Sequence, residues 1–135
     1  MSSRTPEGKV KAEIKLVLNR LGIYWFCPRG SALGRSGIPD FICCYKGAFL
    51  ALEAKAGNNK PSKLQDIEIA RIRDAEGFAL VVTDKNVGDL EPLLARIGAV
   101  MERGKQLLVE DAQSKQLKND KAAQLIAPER PQLVS

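Results

Sequence analysis

The 135-residue sequence contains no histidine and only three cysteines. Without histidine, the Ser-His-Asp and Cys-His pairings of nucleophilic catalysis are excluded, and so is every zinc site that uses imidazole. The three cysteines, at positions 27, 43 and 44, lack the spacing of a metal-binding motif. They predict a reducing compartment, and the adjacent Cys43 and Cys44, inside an apolar run, are predicted to lie in the core of a strand.

Long apolar runs are missing as well. No stretch of about 18 apolar residues occurs, and the polar N-terminus lacks the hydrophobic region of a signal peptide. The sequence therefore predicts neither a membrane span nor export, and we expect a cytoplasmic protein. The chain still has the composition of a folded domain, because 44% of its residues are hydrophobic and 27% are charged.

The charge is unevenly distributed along the chain. Residues 1–63 hold 11 Lys and Arg against 4 Asp and Glu, whereas residues 64–135 hold 10 against 12. A basic half of this kind favours a polyanionic partner such as a nucleic acid, although a solvated basic surface would show the same pattern.

Hydrophobic periodicity and turn residues predict the order αβββαβα, which is typical of an α/β sandwich with a mixed sheet. The expected elements are a helix over 6–21, strands over 23–27, 41–45 and 48–53, a helix over 62–76, a strand over 78–83 and a helix over 87–97. Gly98 is predicted to end the last helix. We expect one domain over 1–98 and a C-terminal appendage over 99–135, partly helical or disordered, in which the apolar pattern weakens.

The hairpin predicted around Lys46 and Gly47 has the most informative geometry. A two-residue turn places Asp40 directly across from Glu53, with Cβ atoms about 5 Å apart on one face of the sheet. Lys55 points to the same face because side chains alternate along a strand. Opposed like charges destabilise a sheet and need a compensating cation, which Lys55 or a bound divalent metal would supply. The sequence therefore predicts a candidate hard-metal site.

Helical phase adds a third acidic residue. Glu7 falls about 20° from Ile14 around the first helix and so faces inward at the helix start. An ordinary alternative exists for each of these residues: Glu7 would complement the helix dipole, Asp40 would begin a strand, and Glu53 and Lys55 would form a solvated strand end.

These residues also carry a family resemblance. The run Gly37-Ile38-Pro39-Asp40, twelve intervening residues and then Glu53-Ala54-Lys55 resembles the PD-(D/E)xK nuclease signature. With Leu64-Gln65 at the next helix start and Gly77 before a strand, the chain is similar, over about residues 5–97, to the virus-type replication-repair nuclease (VRR-NUC) domain. The resemblance implies a restriction-endonuclease-like αβββαβ core and a Mg²⁺- or Mn²⁺-dependent enzyme that cuts DNA, with no organic cofactor. Stand-alone phage and bacterial members are expected to select branched or junction DNA and often to be homodimers.

The resemblance assigns roles to the matching residues. Asp40 and Glu53 would be metal ligands, and the backbone carbonyl of Ala54 would supply another oxygen. Lys55 would position or polarise the attacking water and offset charge on the phosphate. A metal-bound water has a lowered pKa, so this chemistry requires no histidine base.

Two further positions match the family with an alternative beside each. Glu7 matches an acidic ligand on the first helix, although the dipole interpretation stays open. Gln65 matches a glutamine near the site, but Ser62 and Gln65 also have the spacing of a capping box. Gln65 could serve both purposes.

Five residues are candidates for DNA binding because they lie in the loops beside the expected site or directly after them. Loop residues with basic or hydroxyl side chains can contact phosphates, and they can equally be ordinary loop residues. The candidates are Arg29, Arg35, Ser36, Lys60 and Lys63. Trp25 and Phe26 could stack on bases, but their position in a strand favours the core.

Two other functions remain open at this point. A non-catalytic nucleic-acid-binding module of a repair or replication complex would have the same fold and basic half. A nuclease that cuts RNA or nicks ordinary duplexes would have the same site.

Overall fold

The computed structural model describes residues 5–28 and 36–115. They form an α/β fold with a four-stranded mixed sheet flanked by helices, which confirms the predicted fold class at this level. The elements are α1 (Pro6–Arg20), β1 (Tyr24–Phe26), β2 (Phe41–Tyr45), β3 (Ala48–Ala54), α2 (Lys63–Asp74), β4 (Phe78–Val82), a 3₁₀ turn (Val87–Asp89) and α3 (Leu90–Ser114). No helix within 5–28 and 36–115 is both long and apolar enough to cross a membrane.

The sheet has the strand order β1-β2-β3-β4. The first two pairings are antiparallel and the third is parallel. Within the hairpin, Phe41 pairs with Leu52 and Tyr45 with Ala48, which is the register that a two-residue turn predicts. Lys46 and Gly47 both have positive φ angles, of 52° and 90°, as a tight hairpin turn of this length requires.

The helix α1 covers one face of the sheet and packs against β3. The Thr5 hydroxyl caps it by accepting a hydrogen bond from the Gly8 N–H at 2.9 Å. Its buried residues include Val10, Ile14, Val17 and Leu18, whose spacing places them on one face of the helix.

The helix α2 covers the opposite face over β3 and β4. Ile69 of α2 packs with Ala51 and Ala79 in one buried cluster, and Ile42 and Val81 lie against it. Because side chains alternate, even-numbered residues of β2 and odd-numbered residues of β3 share this face. The predicted site residues Asp40, Glu53 and Lys55 follow the same numbering pattern.

β4 is one of the two edge strands of the sheet, and two of its carbonyl groups have side-chain donors. The Arg73 guanidinium donates to the carbonyl oxygen of Ala79 at 3.2 and 2.7 Å. The Asn86 amide donates to the carbonyl oxygen of Val81 at 3.1 Å.

The prediction that Gly98 ends the third helix is wrong. α3 continues to Ser114, and the boundary between two compact units of the chain lies between Gly98 and Ala99. Glycine is required at position 98 because a Cβ there would overlap the ring of Tyr45. Residues 99–114 are helical, and the rest of the predicted appendage lies outside the described residues.

Two side chains expected in the core are exposed. Cys43 is buried but Cys44 is exposed, because neighbouring residues of a strand point to opposite faces. Phe26 is 45% exposed. Trp25 lies between the two exposed aromatic residues of β1 and is half-buried. Its ring meets that of Phe41 edge-on, with centroids 5.7 Å apart, and its indole N–H donates to the side-chain oxygen of Asn19.

Candidate metal centre

The hairpin places Asp40 across from Glu53 at the end of β3. The Asp40 N–H donates to Oε1 of Glu53 at 3.1 Å, and the Ala54 N–H donates to Oδ2 of Asp40 at 2.9 Å. Glu53 is the buried charged residue of the core, with 3% of its surface exposed, whereas Asp40 is partly exposed. The Glu53 carboxylate is therefore held by the backbone N–H of Asp40, and the Asp40 carboxylate by the backbone N–H of Ala54, next to Glu53.

Lys55 lies on the same face as Glu53, as strand alternation predicts. Its Nζ is 3.5 Å from Oε2 of Glu53, and its side chain is largely buried. The Lys55 N–H donates to the carbonyl oxygen of Val82 at 2.9 Å, which fixes this residue beyond the end of β3. The site thus has a buried carboxylate with an ammonium group in contact.

Gln65 both completes the capping box and contacts the site, the two roles that the sequence allowed. Its Oε1 accepts from the Ser62 N–H at 2.8 Å, and its N–H donates to the Ser62 hydroxyl at 3.2 Å, which completes the capping box. Its Nε2 donates to Oε2 of Glu53 at 2.5 Å. Because the amide oxygen is used in the cap, the amide nitrogen is turned toward the carboxylate.

Gly37 holds the start of α2 against the loop that precedes Asp40. Its φ angle is +81°, and a Cβ here would lie 2.5 Å from the carbonyl carbon and oxygen of Leu64. A side chain is thus excluded both by the backbone conformation and by the close approach. This glycine allows Gln65 to reach Glu53.

Glu7 is linked to the site through a residue that sequence reasoning missed. Lys11 Nζ lies 3.5 Å from Oε2 of Glu7 and 3.6 Å from Oδ1 of Asp40. Its position four residues after Glu7 places both on one face of α1, which is the signal that could have identified it. No group of three His, Cys, Asp or Glu side chains that could hold a metal occurs within the described parts of the chain. Glu7, the expected third carboxylate, is therefore connected to the Asp40–Glu53 pair through Lys11.

Burial raises the pKa of Glu53 to about 7, and the Asp40 carboxylate adds to this rise, while Lys55 and the Asp40 N–H act in the opposite direction. Burial opposes the charge of Lys11, but the carboxylates of Asp40 and Glu7 outweigh it and raise the pKa of Lys11.

The chemistry of these donors fits a hard divalent cation. Asp40 and Glu53 offer carboxylate oxygens, the ligands that Mg²⁺ and Mn²⁺ prefer. A bound cation would oppose the burial and the Asp40 charge that raise the pKa of Glu53. The carbonyl of Ala54, which follows Glu53 directly, would be the third oxygen. Lys11 would compete with the ion for Oδ1 of Asp40.

The structure describes three of the five predicted DNA-binding residues. Ser36, Lys60 and Lys63 are all exposed, in the loops on either side of the hairpin and at the first residue of α2. Arg29 and Arg35 lie outside the described residues, so their assignment stays a prediction.

No protein-family model, no curated protein and no solved structure matches the chain. The geometry of the site therefore carries the functional argument.

Proposed function

We propose that the protein is a divalent-metal-dependent DNA endonuclease of the VRR-NUC type, with a restriction-endonuclease-like core. The observation that carries the proposal is the arrangement of the buried Glu53, its opposed partner Asp40 and the contacting Lys55 at one end of the hairpin. A purely structural role would explain poorly why a carboxylate is buried next to a second carboxylate, since burial and like charge both oppose ionisation.

Asp40, Glu53 and the Ala54 carbonyl would hold Mg²⁺ or Mn²⁺. The bound ion would lower the pKa of a water molecule and offset charge that develops on the phosphate. The protein's own contribution is to fix the ligands: backbone N–H groups hold both carboxylates, and Gln65 restrains Oε2 of Glu53.

Lys55 would act on the reacting phosphate. Its ammonium contacts Glu53 without a second carboxylate partner among the ion pairs of the described residues, and so it can orient a water molecule or a phosphate oxygen. Lys11 has Glu7 as a second partner and can turn to it when a metal takes Oδ1 of Asp40.

The substrate would be DNA held by the basic half of the chain. The exposed Lys60, Lys63 and Ser36 lie in the segments that adjoin the site, where they can contact phosphates, as can Arg29 and Arg35 in our prediction. Cutting both strands of a branched DNA symmetrically needs two sites, and a homodimer would provide them.

Cleavage of labelled DNA tests the proposal. The substrates are single strands, duplex, flap, splayed arm and four-way junction, each with Mg²⁺, Mn²⁺ or EDTA. We expect metal-dependent cutting that falls at least 100-fold in Lys55→Ala, the scale of a lost transition-state contact. Lys15→Ala, which removes an exposed lysine of α1, is the matched control and should cut normally.

Failure of wild-type protein to cut any of these DNAs with either metal would overturn the proposal. Tight binding without cutting would then favour the non-catalytic binding module. Cutting that persists in Lys55→Ala would remove this lysine from the chemistry.

A further inference from the structure

On the face of the sheet that α2 shares, β1 presents two aromatic side chains that the described residues leave exposed. α2 packs over β3 and β4, whereas Tyr24 and Phe26 are 69% and 45% exposed. They share a face because they are two residues apart in β1, and Trp25 between them packs on Phe41 on the other side of the sheet. Two large exposed aromatic rings at neighbouring positions on one face mark a binding surface.

These rings lie beside the carboxylate pair. Phe26 pairs with Ile42 in the β1–β2 register, and Asp40 is two residues from Ile42 on the same face. Phe26 is therefore a diagonal neighbour of Asp40, a relationship that separates Cβ atoms by about 7–8 Å. Tyr24 pairs with Cys44 and lies one step further away. The two rings form a row along β1, with Phe26 nearer to the site.

The two aromatic rings are close together but are not stacked on each other. Their centroids are 6.4 Å apart and their planes are tilted by 59°, so the rings do not stack face to face on each other. β1 and β2 contain no charged residue, and the half of the chain that includes them has a charge of +7. Exposed aromatic rings in a chain segment of net positive charge are typical of proteins that stack the bases of a single strand.

We propose that Tyr24 and Phe26 form a stacking platform for two unpaired bases of the strand whose backbone enters the site at Asp40 and Glu53. The inference rests on the proposed function, which supplies the point where the DNA backbone enters the site. It specifies the substrate as DNA with an unpaired segment next to the phosphate that is cut. An intact duplex keeps its base faces inside the stack, and therefore cannot use this platform.

The test measures binding and cutting with the same proteins. Binding of fluorescent oligo(dT) and of a blunt duplex is measured in EDTA, and cutting of a splayed arm is measured with Mg²⁺. The variants are Tyr24→Ala, Phe26→Ala, the double variant and the aromatic replacement Phe26→Tyr. The control is Phe78→Ala, which removes a ring that is 38% exposed on the opposite face of the sheet.

Each alanine variant should weaken oligo(dT) binding about 5- to 150-fold, the range measured for single base–aromatic stacks. Duplex binding should stay within about twofold, and Phe26→Tyr and Phe78→Ala should bind oligo(dT) as the wild type does. Circular dichroism and thermal unfolding establish that each variant is folded.

The outcomes separate the two proposals. Unchanged oligo(dT) binding in the double variant, with metal-dependent cutting intact, overturns the platform and leaves the nuclease. Lost oligo(dT) binding in the alanine variants, with no cutting by the wild type, supports the platform and overturns the nuclease. Conversion of a wild-type dimer to a monomer in the double variant, with oligo(dT) binding unchanged, identifies the surface as an interface between copies and overturns the platform.

Discussion

The side-chain nitrogen of Gln65 lies 2.5 Å from Oε2 of Glu53, so the residue that completes the cap of α2 also restrains the buried carboxylate. One amide therefore joins the helix start to the candidate metal centre. The amide oxygen of Gln65 accepts in the helix cap and the amide nitrogen donates to Glu53. Substitutions can distinguish these two contacts.

Replacing Gln65 by Ala should lower both stability and cutting. The loss of its capping contact costs roughly 1 kcal/mol, and Glu53 loses the amide donor of Gln65. Ser62→Ala is the control, because it weakens the cap but leaves Gln65 in reach of Glu53. We expect chemical denaturation to give similar losses for the two variants, while cleavage falls further in Gln65→Ala. Equal cleavage in both would show that the contact with Glu53 has no role in the reaction.

Removing Lys11 should strengthen metal binding. Its ammonium lies 3.6 Å from Oδ1 of Asp40, where a divalent cation would bind. A partly exposed ion pair of this kind is worth about 0.3–1 kcal/mol, so Lys11→Met should bind Mn²⁺ roughly 2- to 5-fold more tightly. Calorimetric titration measures this, with Lys15→Met as control and Asp40→Asn as the variant that should lose the heat. Weaker binding in Lys11→Met would mean that the lysine supports the metal site.

The stability of the metal-free protein should depend on the protonation of Glu53. The folded-state pKa of about 7 lies above the unfolded value of about 4.3, so the folded state binds the proton more tightly. This contribution to stability is complete below about pH 4.3 and is lost as the pH rises to about 7, by on the order of 3 kcal/mol.

Urea denaturation in EDTA at pH 5 and at pH 7.5 measures that loss. Glu53→Gln should show a smaller fall in the free energy of unfolding between the two values, because its side chain does not titrate. Mn²⁺ should also reduce the fall in wild-type protein, since the ion binds the ionised carboxylate. An identical pH dependence in wild type and variant would contradict a raised pKa for Glu53.

Replacing each of two glycines of α3 by alanine should change the stability of the protein in opposite directions. Gly98→Ala forces a Cβ into the Tyr45 ring and should destabilise the protein by about 1–3 kcal/mol. Gly104 has no atom within 4 Å of its expected Cβ, so Gly104→Ala should stabilise the helix by up to about 1 kcal/mol. Thermal unfolding of the two variants gives the signs. A stabilising Gly98→Ala would show that glycine is not needed at the contact.

The sequence was most informative where structure depends on neighbours in the chain. The two-residue turn determines the register of the hairpin, and with it the position of Asp40 across from Glu53. Capping spacing likewise identified Ser62 and Gln65. Contacts between distant segments were missed, because periodicity within one element contains no information about its partner.

Three cases illustrate that limit. Gly98 has the properties of a helix terminator, and only the Tyr45 ring from the hairpin explains it. Lys11 has the pattern of a solvated helix residue until Asp40 is placed beside it. Phe26 is apolar and in a strand, but whether it is buried depends on how far α2 extends across the sheet.

The side-chain donors on β4 affect how copies of this protein can associate. A strand from another molecule that aligned with this edge would have to displace Arg73 from Ala79 and Asn86 from Val81. Growth of a continuous intermolecular sheet, and the aggregation that follows from it, is therefore opposed on this side. The homodimer that we propose would accordingly use a surface other than this edge.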